Sequence, residues 1–169
     1  HPEGYEYSNG WTQFSYRPWS GHTITDICVK SGYQSYYLYV AIEDRVYCTY
    51  VGTEGNYYWN GWTQFSYRPW SGHTITSICV KSGRYGRYLY AAVEDRVYRT
   101  YVGTDGSQYY NGWTQFSYKP SSGNNIVKID VKGGHQSYYL YATANNKVYR
   151  TYVDREGQYY QQSWTQFSY

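Results

Sequence analysis

The phrase GWTQFSY occurs three times in this chain of 169 residues, at 10–16, 61–67 and 112–118. A fourth copy, SWTQFSY, occupies 163–169. The tryptophans of successive copies lie a constant 51 residues apart, so the copies are joined without insertion or deletion. The chain is therefore a tandem repeat.

The repeat divides the chain into three blocks, 11–61, 62–112 and 113–163, and 164–169 belongs to an extra copy of the Trp phrase. The first two blocks are nearly identical, whereas the third differs at many positions. Self-similarity at this period is typical of one supersecondary unit that buries its apolar face against copies of itself. We therefore expect a single repeat domain over 1–169.

Each block predicts four short strands. In the first block they are 23–30, 36–42 and 45–51, followed by the Trp phrase itself. Alternation with period two and enrichment in Val, Ile, Thr, Tyr and Trp are typical of strands, and no segment has a helical period. Acidic or Asn residues between the second and third strands favour tight hairpins.

The strand pattern predicts an all-β fold of three 51-residue, four-stranded repeats that is β-propeller-like. In that arrangement the Val/Ile-rich strand of each unit is innermost and the Trp strand outermost. A β-trefoil, which also distributes its strands over three units, is the main alternative, and a prism or sandwich follows it.

A second phrase accompanies each copy of the first. It reads LYVAIEDRVY at 38–47, LYAAVEDRVY at 89–98 and LYATANNKVY at 140–149. The combination of Gly-Trp-x-x-Phe with this hairpin resembles the tachylectin-type and tectonin-like lectins. The resemblance implies a β-propeller that binds sugars. This chain differs from those lectins in one respect, since they have five or more blades and this chain has three units.

The ends of the chain offer a way to complete a larger ring. Residues 3–16 align without gaps on 156–169, so the chain has one spare copy of its outer strand. A spare terminal strand can complete a neighbouring sheet, either in the same chain or in another subunit. Two chains would then form a six-bladed ring, although this leaves one outer strand too many. The sequence thus predicts a homodimer or higher homo-oligomer.

The composition excludes several classes of partner. The chain has 28 Tyr and 7 Trp, a net charge of +3 and basic residues spread through all repeats. Such a mild and dispersed charge predicts no nucleic-acid partner. No apolar run is long enough to span a bilayer, so we expect no membrane insertion. The N-terminal HPEGYEYSNG resembles a processed N-terminus, and we expect a secreted, extracellular protein.

The three cysteines do not form a consistent set. Cys28 and Cys79 correspond to Asp130 in the third block, and Cys48 corresponds to Arg99. A framework disulfide or a zinc site would need equivalent cysteines in every unit. Free buried thiols are expected. A Cys28–Cys79 disulfide is possible only if the strands that carry these two cysteines are neighbours.

The polar residues do not indicate catalysis. The chain has no G-x-S-x-G, no phosphate-binding loop and no H-E-x-x-H. An enzyme uses one asymmetric constellation, whereas most polar residues here recur in pairs 51 residues apart. We predict that the protein is not an enzyme and uses no cofactor or metal.

Repetition favours multivalent binding, because several weak equivalent sites gain avidity together. An aromatic ring can stack on the apolar face of a sugar while nearby charged or amide groups bond its hydroxyls. The candidates are the Trp and His of each long loop and the polar residues of each hairpin. They are Trp19, His22, Glu43, Asp44 and Arg45; Trp70, His73, Glu94, Asp95 and Arg96; and Ser121, Asn124, Asn145, Asn146 and Lys147. The tryptophans of the Trp phrase are expected to be structural. The sequence therefore predicts a lectin with two or three shallow sites for cell-surface or soluble glycans.

The tyrosine content favours a second function. Runs such as SYYLY and NYYW resemble the composition of mussel foot and byssal proteins, in which tyrosine can be hydroxylated to catechol. Tyr-rich strands with spare edges also favour assembly into fibres. The alternative to a lectin is a secreted structural or adhesive protein.

Overall fold

The computed structural model describes residues 17–30, 36–52, 61–82, 84–108, 112–132, 139–158, 161 and 163–167. The first copy of the Trp phrase, with Trp11, lies outside them. Every regular element in the described part is a strand. The strands are β1 Ile24–Val29, β2 Tyr37–Ile42, β3 Arg45–Tyr50, β4 Thr63–Gln64, β5 Ile75–Val80, β6 Tyr88–Val93, β7 Arg96–Tyr101, β8 Thr114–Gln115, β9 Ile126–Val131, β10 Tyr139–Ala144, β11 Lys147–Tyr152 and β12 Thr165–Gln166.

The strands form three antiparallel four-stranded sheets in chain order: β1–β4, β5–β8 and β9–β12. In the first sheet Ile42 pairs with Arg45, which leaves a two-residue hairpin loop, and Cys48 pairs with Thr63 of the Trp strand. The Trp phrase therefore completes the sheet that precedes it in the sequence. The all-β prediction and the predicted strand order are confirmed.

The sheets are arranged like consecutive propeller blades. The first strands of the three sheets lie side by side, with β5 in contact with both β1 and β9. Each repeat forms its own sheet rather than sharing a barrel with the others, so the trefoil alternative does not fit. The described residues contain no helix that could cross a membrane.

The hydrophobic core lies between sheets. One cluster joins Tyr39, Val46 and Phe65 of the first sheet to Ile78 and Leu89 of the second. The next cluster joins the second sheet to the third through the corresponding residue positions. Since side chains alternate across a strand, the second sheet is apolar on both faces and is buried on both.

Equivalent hydrogen bonds, like equivalent apolar contacts, occur at both interfaces between sheets. The Tyr39 hydroxyl donates to the carbonyl of Gly106 at 2.6 Å, and the Tyr90 hydroxyl donates to that of Gly157 at 2.9 Å. Trp113 Nε1 donates to the Tyr67 carbonyl at 3.0 Å, and Trp164 makes the same bond to Tyr118. The outer tryptophans thus hold neighbouring sheets together.

The cysteines are unbridged. Cys48 and Cys79 are buried and Cys28 is half-buried, and all three are free thiols. Burial raises the pKa of Cys48 to about 12, and burial also raises the pKa values of the other two. High pKa values keep the thiols protonated and unreactive at neutral pH.

Candidate functional site

The hairpin between the second and third strands of each sheet presents a charged side chain in a strained conformation. Glu43 and Glu94 have φ values of 52° and 53°, in the left-handed region that glutamate rarely adopts. Asn145 and Asn146 occupy the third hairpin, also with positive φ. Asparagine tolerates this conformation much better than glutamate does.

The loop before the first sheet brings an aromatic and an imidazole ring to this hairpin. The rings of Trp19 and His22 stack with centroids 3.6 Å apart. His22 Nδ1 lies 2.6 Å from a carboxylate oxygen of Glu43. The Arg45 guanidinium lies over the Trp19 ring, 4.3 Å from its centroid. We call these four residues the first site.

The second sheet repeats this arrangement. Trp70 and His73 stack at 3.8 Å, and His73 Nδ1 lies 2.8 Å from an oxygen of Glu94. The Arg96 guanidinium lies 4.2 Å from the centroid of the Trp70 ring. These four residues are the second site. Loop and hairpin residues that lie 21 or more positions apart in sequence thus come together in the same geometry twice.

A shallow cleft of about 330 Å³ opens beside the first site, between the first hairpin and the loop before β5. Its wall combines the carboxylate of Glu43 with the guanidinium of Arg68, the imidazole of His73 and the hydroxyl of Thr74. The cleft therefore offers both hydrogen-bond donors and acceptors around the edge of an indole.

The aspartates next to these glutamates have a different role. Asp44 is buried and accepts hydrogen bonds from Arg68 at 2.9 Å and from the Gly72 N–H at 2.8 Å. Asp95 accepts the corresponding bonds from Lys119 at 2.7 Å and from Gly123 N–H. Both aspartates thus anchor the loop of the next sheet.

The pKa of Asp95 reflects these contacts. Partial burial alone would raise this pKa, but the bonds from Lys119 and the Gly123 N–H outweigh it and hold the pKa below its usual value. The carboxylate consequently stays ionised in the folded state, as its anchoring role requires.

The loop tryptophans also contribute to packing. Trp19 contacts the cluster of Val40, Ile42 and Tyr47, and Trp70 contacts the cluster between the first two sheets. Their Pro/Gly-rich loops gave no sign of this. Each indole therefore holds its loop in place besides contributing to its site, and removing it is expected to lower stability.

The third unit does not repeat the site. Asn124 donates to the Ser121 hydroxyl at 2.9 Å and to the Ser122 carbonyl, both within its own loop. Asn145, Asn146 and Lys147 are all exposed. In the first two predicted sets, four of the five residues come together and the aspartate anchors the next loop instead. The third set has neither the indole nor the acid.

A polar cluster on the inner strands was not predicted. Asp26, Ser77 and Lys128 occupy equivalent positions, and each inner strand has an irregularity of register immediately before this residue. Asp26 accepts bonds from Ser77 at 2.8 Å, from Ile78 N–H at 2.7 Å and from Lys128 at 2.7 Å. A one-residue bulge re-aims side chains, which brings three different residues together here. The sequence signal that could have indicated this cluster is that the three units have three different polar residues at the same repeat position.

The comparisons with protein-family models and with curated proteins identify no relative. No protein-family model matches the chain, and no curated protein is significantly similar to it. Among the described residues, no group of three or more His, Cys, Asp and Glu side chains could hold a metal ion. Function must therefore be inferred from the geometry of the sites.

Proposed function

We propose that the protein is a secreted lectin that binds glycans through the first and second sites. The observation that carries this proposal is the assembly of the same four side chains, in the same geometry, on two successive sheets. Equivalent weak sites together bind a ligand with repeated units more tightly than one site does. Glycan chains and glycosylated surfaces present such repeated units.

The chemistry of each site fits a sugar. A hydroxyl group both donates and accepts hydrogen bonds, and Glu43 with Arg45 provides an acceptor beside a planar donor. The indole edge supplies apolar contact area next to them. An open cleft of about 330 Å³ has room for one or two sugar rings rather than for a buried cofactor.

Backbone strain supports a function at the hairpins. Glu43 and Glu94 adopt positive φ values where Asn or Gly would cost less, and the third hairpin has Asn at this position. Strain of this kind, typically about 1 kcal/mol or more, is concentrated at functional sites. The carboxylates hold His22 and His73, so the strained residues shape the proposed binding surface.

A glycan array tests the proposal. The labelled chain is expected to bind a defined group of glycans, and His22→Ala combined with His73→Ala is expected to lower that binding at least tenfold. Lys132→Ala, an exposed residue of the third unit outside the loops and hairpins of both sites, is the control and should bind like the wild type. Absence of binding across the array, or full binding by the double variant, would contradict the proposal.

The second candidate is a Tyr-rich structural or adhesive protein. The exposure of Tyr67 and Tyr118, at 56% and 50%, favours it, because exposed phenol rings are accessible to hydroxylation and crosslinking. Acid hydrolysates of the natural protein would then contain catechol, and the glycan array would stay blank. Glycan binding without catechol excludes this candidate.

A further inference from the structure

The faces at the two ends of the row of sheets differ from all internal faces. We call the side of a sheet toward the preceding sheet its leading face and the opposite side its trailing face. On the leading face of the second sheet, Ile75, Ile78 and Val80 are at most 5% exposed. On the inner strand of the first sheet, the equivalent Ile24, Ile27 and Val29 are 48%, 56% and 51% exposed. The opening is confined to this strand, because Val40, Ile42 and Tyr47 of the same face are at most 5% exposed and pack with Trp19 and Trp62.

The trailing face of the third sheet is open in the same way. Val148 is 41% exposed, whereas the equivalent Val46 and Val97 are at most 1% exposed. Phe167 is 39% exposed, whereas the equivalent Phe65 is 2% exposed. The two open faces carry the residue types that pack against each other at both internal interfaces.

We propose that a second copy of this chain covers these faces, with the trailing face of each third sheet seated on the leading face of the partner's first sheet. Exposed apolar faces of this extent mark association surfaces. The occupant is defined by the chain itself, because the chain joins a trailing face to a leading face twice within its own fold.

The polar groups needed at the new interface are also present. At the internal interfaces, the N–H of Ile75 and of Ile126 donates to the carbonyl of the preceding hairpin, at 2.7 and 2.6 Å. At the open ends, Ile24 of the first sheet has the position of the N–H donor, and Asn145 of the third sheet has the position of the carbonyl acceptor. The Asn146 amide oxygen can accept from Arg17 as Asp44 accepts from Arg68.

The cleft at the open end is the seat for the missing hairpin. It measures about 480 Å³ and is lined by Arg17, Trp19, His22, Ile24 and Ile42 among others. At the internal interface, the residues equivalent to Arg17 and His22 lie against the preceding hairpin, and the cleft there is about 330 Å³. When the partner's third hairpin binds here, its residues 145–147 would therefore become part of the cleft beside the first site.

The number of copies follows from closure. A trailing-to-leading contact is heterologous, so copies form a ring only when the rotation closes. Propellers have four to eight blades in general, and six is the only multiple of three in that range. Two chains therefore complete the ring. Each contributes one Asp26 and one Lys128, so the charges at the ring centre cancel.

Light scattering on the full chain tests this inference, which does not depend on the proposed function. A closed dimer has twice the chain mass of 20.0 kDa, about 40 kDa, at all concentrations above its dissociation range. A mass of 20.0 kDa at every concentration, or assemblies that grow without limit, would overturn the closed dimer.

Variants at the two ends test its geometry. Ile27→Asp and Val148→Asp should each give monomers, because both interfaces of the ring then contain a damaged face. An equimolar mixture of the two should recover a 1:1 dimer through the one undamaged pair of faces. Tyr67→Asp, on an exposed residue between the first two sheets, is the control and should stay dimeric.

Other outcomes would contradict the head-to-tail arrangement. Dimers that survive Val148→Asp but not Ile27→Asp would show that leading faces pair with each other. A mixture that stays monomeric would show that the two faces do not bind one another. Circular dichroism of each variant checks that the sheets are intact, since both substituted side chains are exposed in the single chain.

Discussion

The first and second sheets have nearly the same sequence but different surroundings. Ile27 and Ile78 are equivalent residues, yet the first is 56% exposed and the second is 1% exposed. Among the described residues, the second sheet has a neighbouring sheet on each side, whereas the first sheet has one on its trailing side only. Burial in a tandem repeat is thus a property of position in the row, whereas the binding residues are a property of each unit.

Aspartate substitutions at equivalent positions of the first and second sheets should give the largest difference in the free energy of unfolding. Ile78→Asp places an unpaired charge in the core and is expected to lower the free energy of unfolding by more than about 4 kcal/mol. Ile27→Asp should change it by less than about 0.5 kcal/mol in the dissociated chain. Urea unfolding at a concentration that keeps the wild type monomeric measures both. Equal losses would mean that the first sheet also has a covered leading face.

The inner-strand polar cluster gives the next largest difference. Asp26→Asn removes the ionic bond to Lys128 and is expected to cost about 2 kcal/mol, against about 1 kcal/mol for Ser77→Ala. Burial alone would raise the pKa of Asp26, but the hydrogen bonds that the carboxylate accepts, with Lys128 the strongest, outweigh burial and leave the pKa below its usual value. The contribution of Asp26 is therefore present above pH 4 and lost as pH falls through the lowered pKa. A wild-type advantage over Asp26→Asn that grows in acid would contradict this assignment.

The buried lysines should make stability rise in mildly alkaline solution. Burial lowers the pKa of Lys30 to about 8, while its ammonium donates to the Gly86 carbonyl at 2.6 Å. Above pH 8 the folded chain releases this proton before the unfolded chain does, so the stability gain from pH 6.5 to pH 9 is about 1 kcal/mol.

Chemical unfolding at the two pH values, compared between the wild type and Lys30→Met, measures this gain. The variant should lack it, and Lys132→Met, at the equivalent exposed position, should keep it. A gain of the same size in Lys30→Met would assign the pH dependence to other groups.

The smallest effect on stability is expected where the two sheets are alike. Glu43→Asn and Glu94→Asn introduce the residue of the third hairpin, which adopts the observed φ more readily, so stability should stay the same or rise by up to about 1 kcal/mol. The ion pair with each His is exposed and contributes little. Thermal unfolding checks this, and a loss above about 1 kcal/mol in either variant would make the glutamates structural.

Local pattern predicted much of this fold. Period-two alternation identified the strands, and Glu-Asp or Asn-Asn between them identified the hairpins, because both signals depend on neighbouring residues. The convergence of Trp19, His22, Glu43 and Arg45 was also predictable, since repetition marked loop and hairpin together.

Contacts between sheets were not predictable in this way. Glu43 and Asp44 are adjacent in sequence, but one faces the site and the other anchors the next sheet. Asp26, Ser77 and Lys128 meet only once three sheets are packed. The open faces carry the same residues as the buried ones, so no single-unit pattern distinguishes them.

Titration calorimetry with the best glycan from the array tests the central claim, that two successive units carry one and the same binding site. The wild type should bind two equivalents per chain with one affinity. Glu43→Asn and Glu94→Asn should each bind one equivalent, and the double variant none. One equivalent in the wild type, or two in the double variant, would contradict the account.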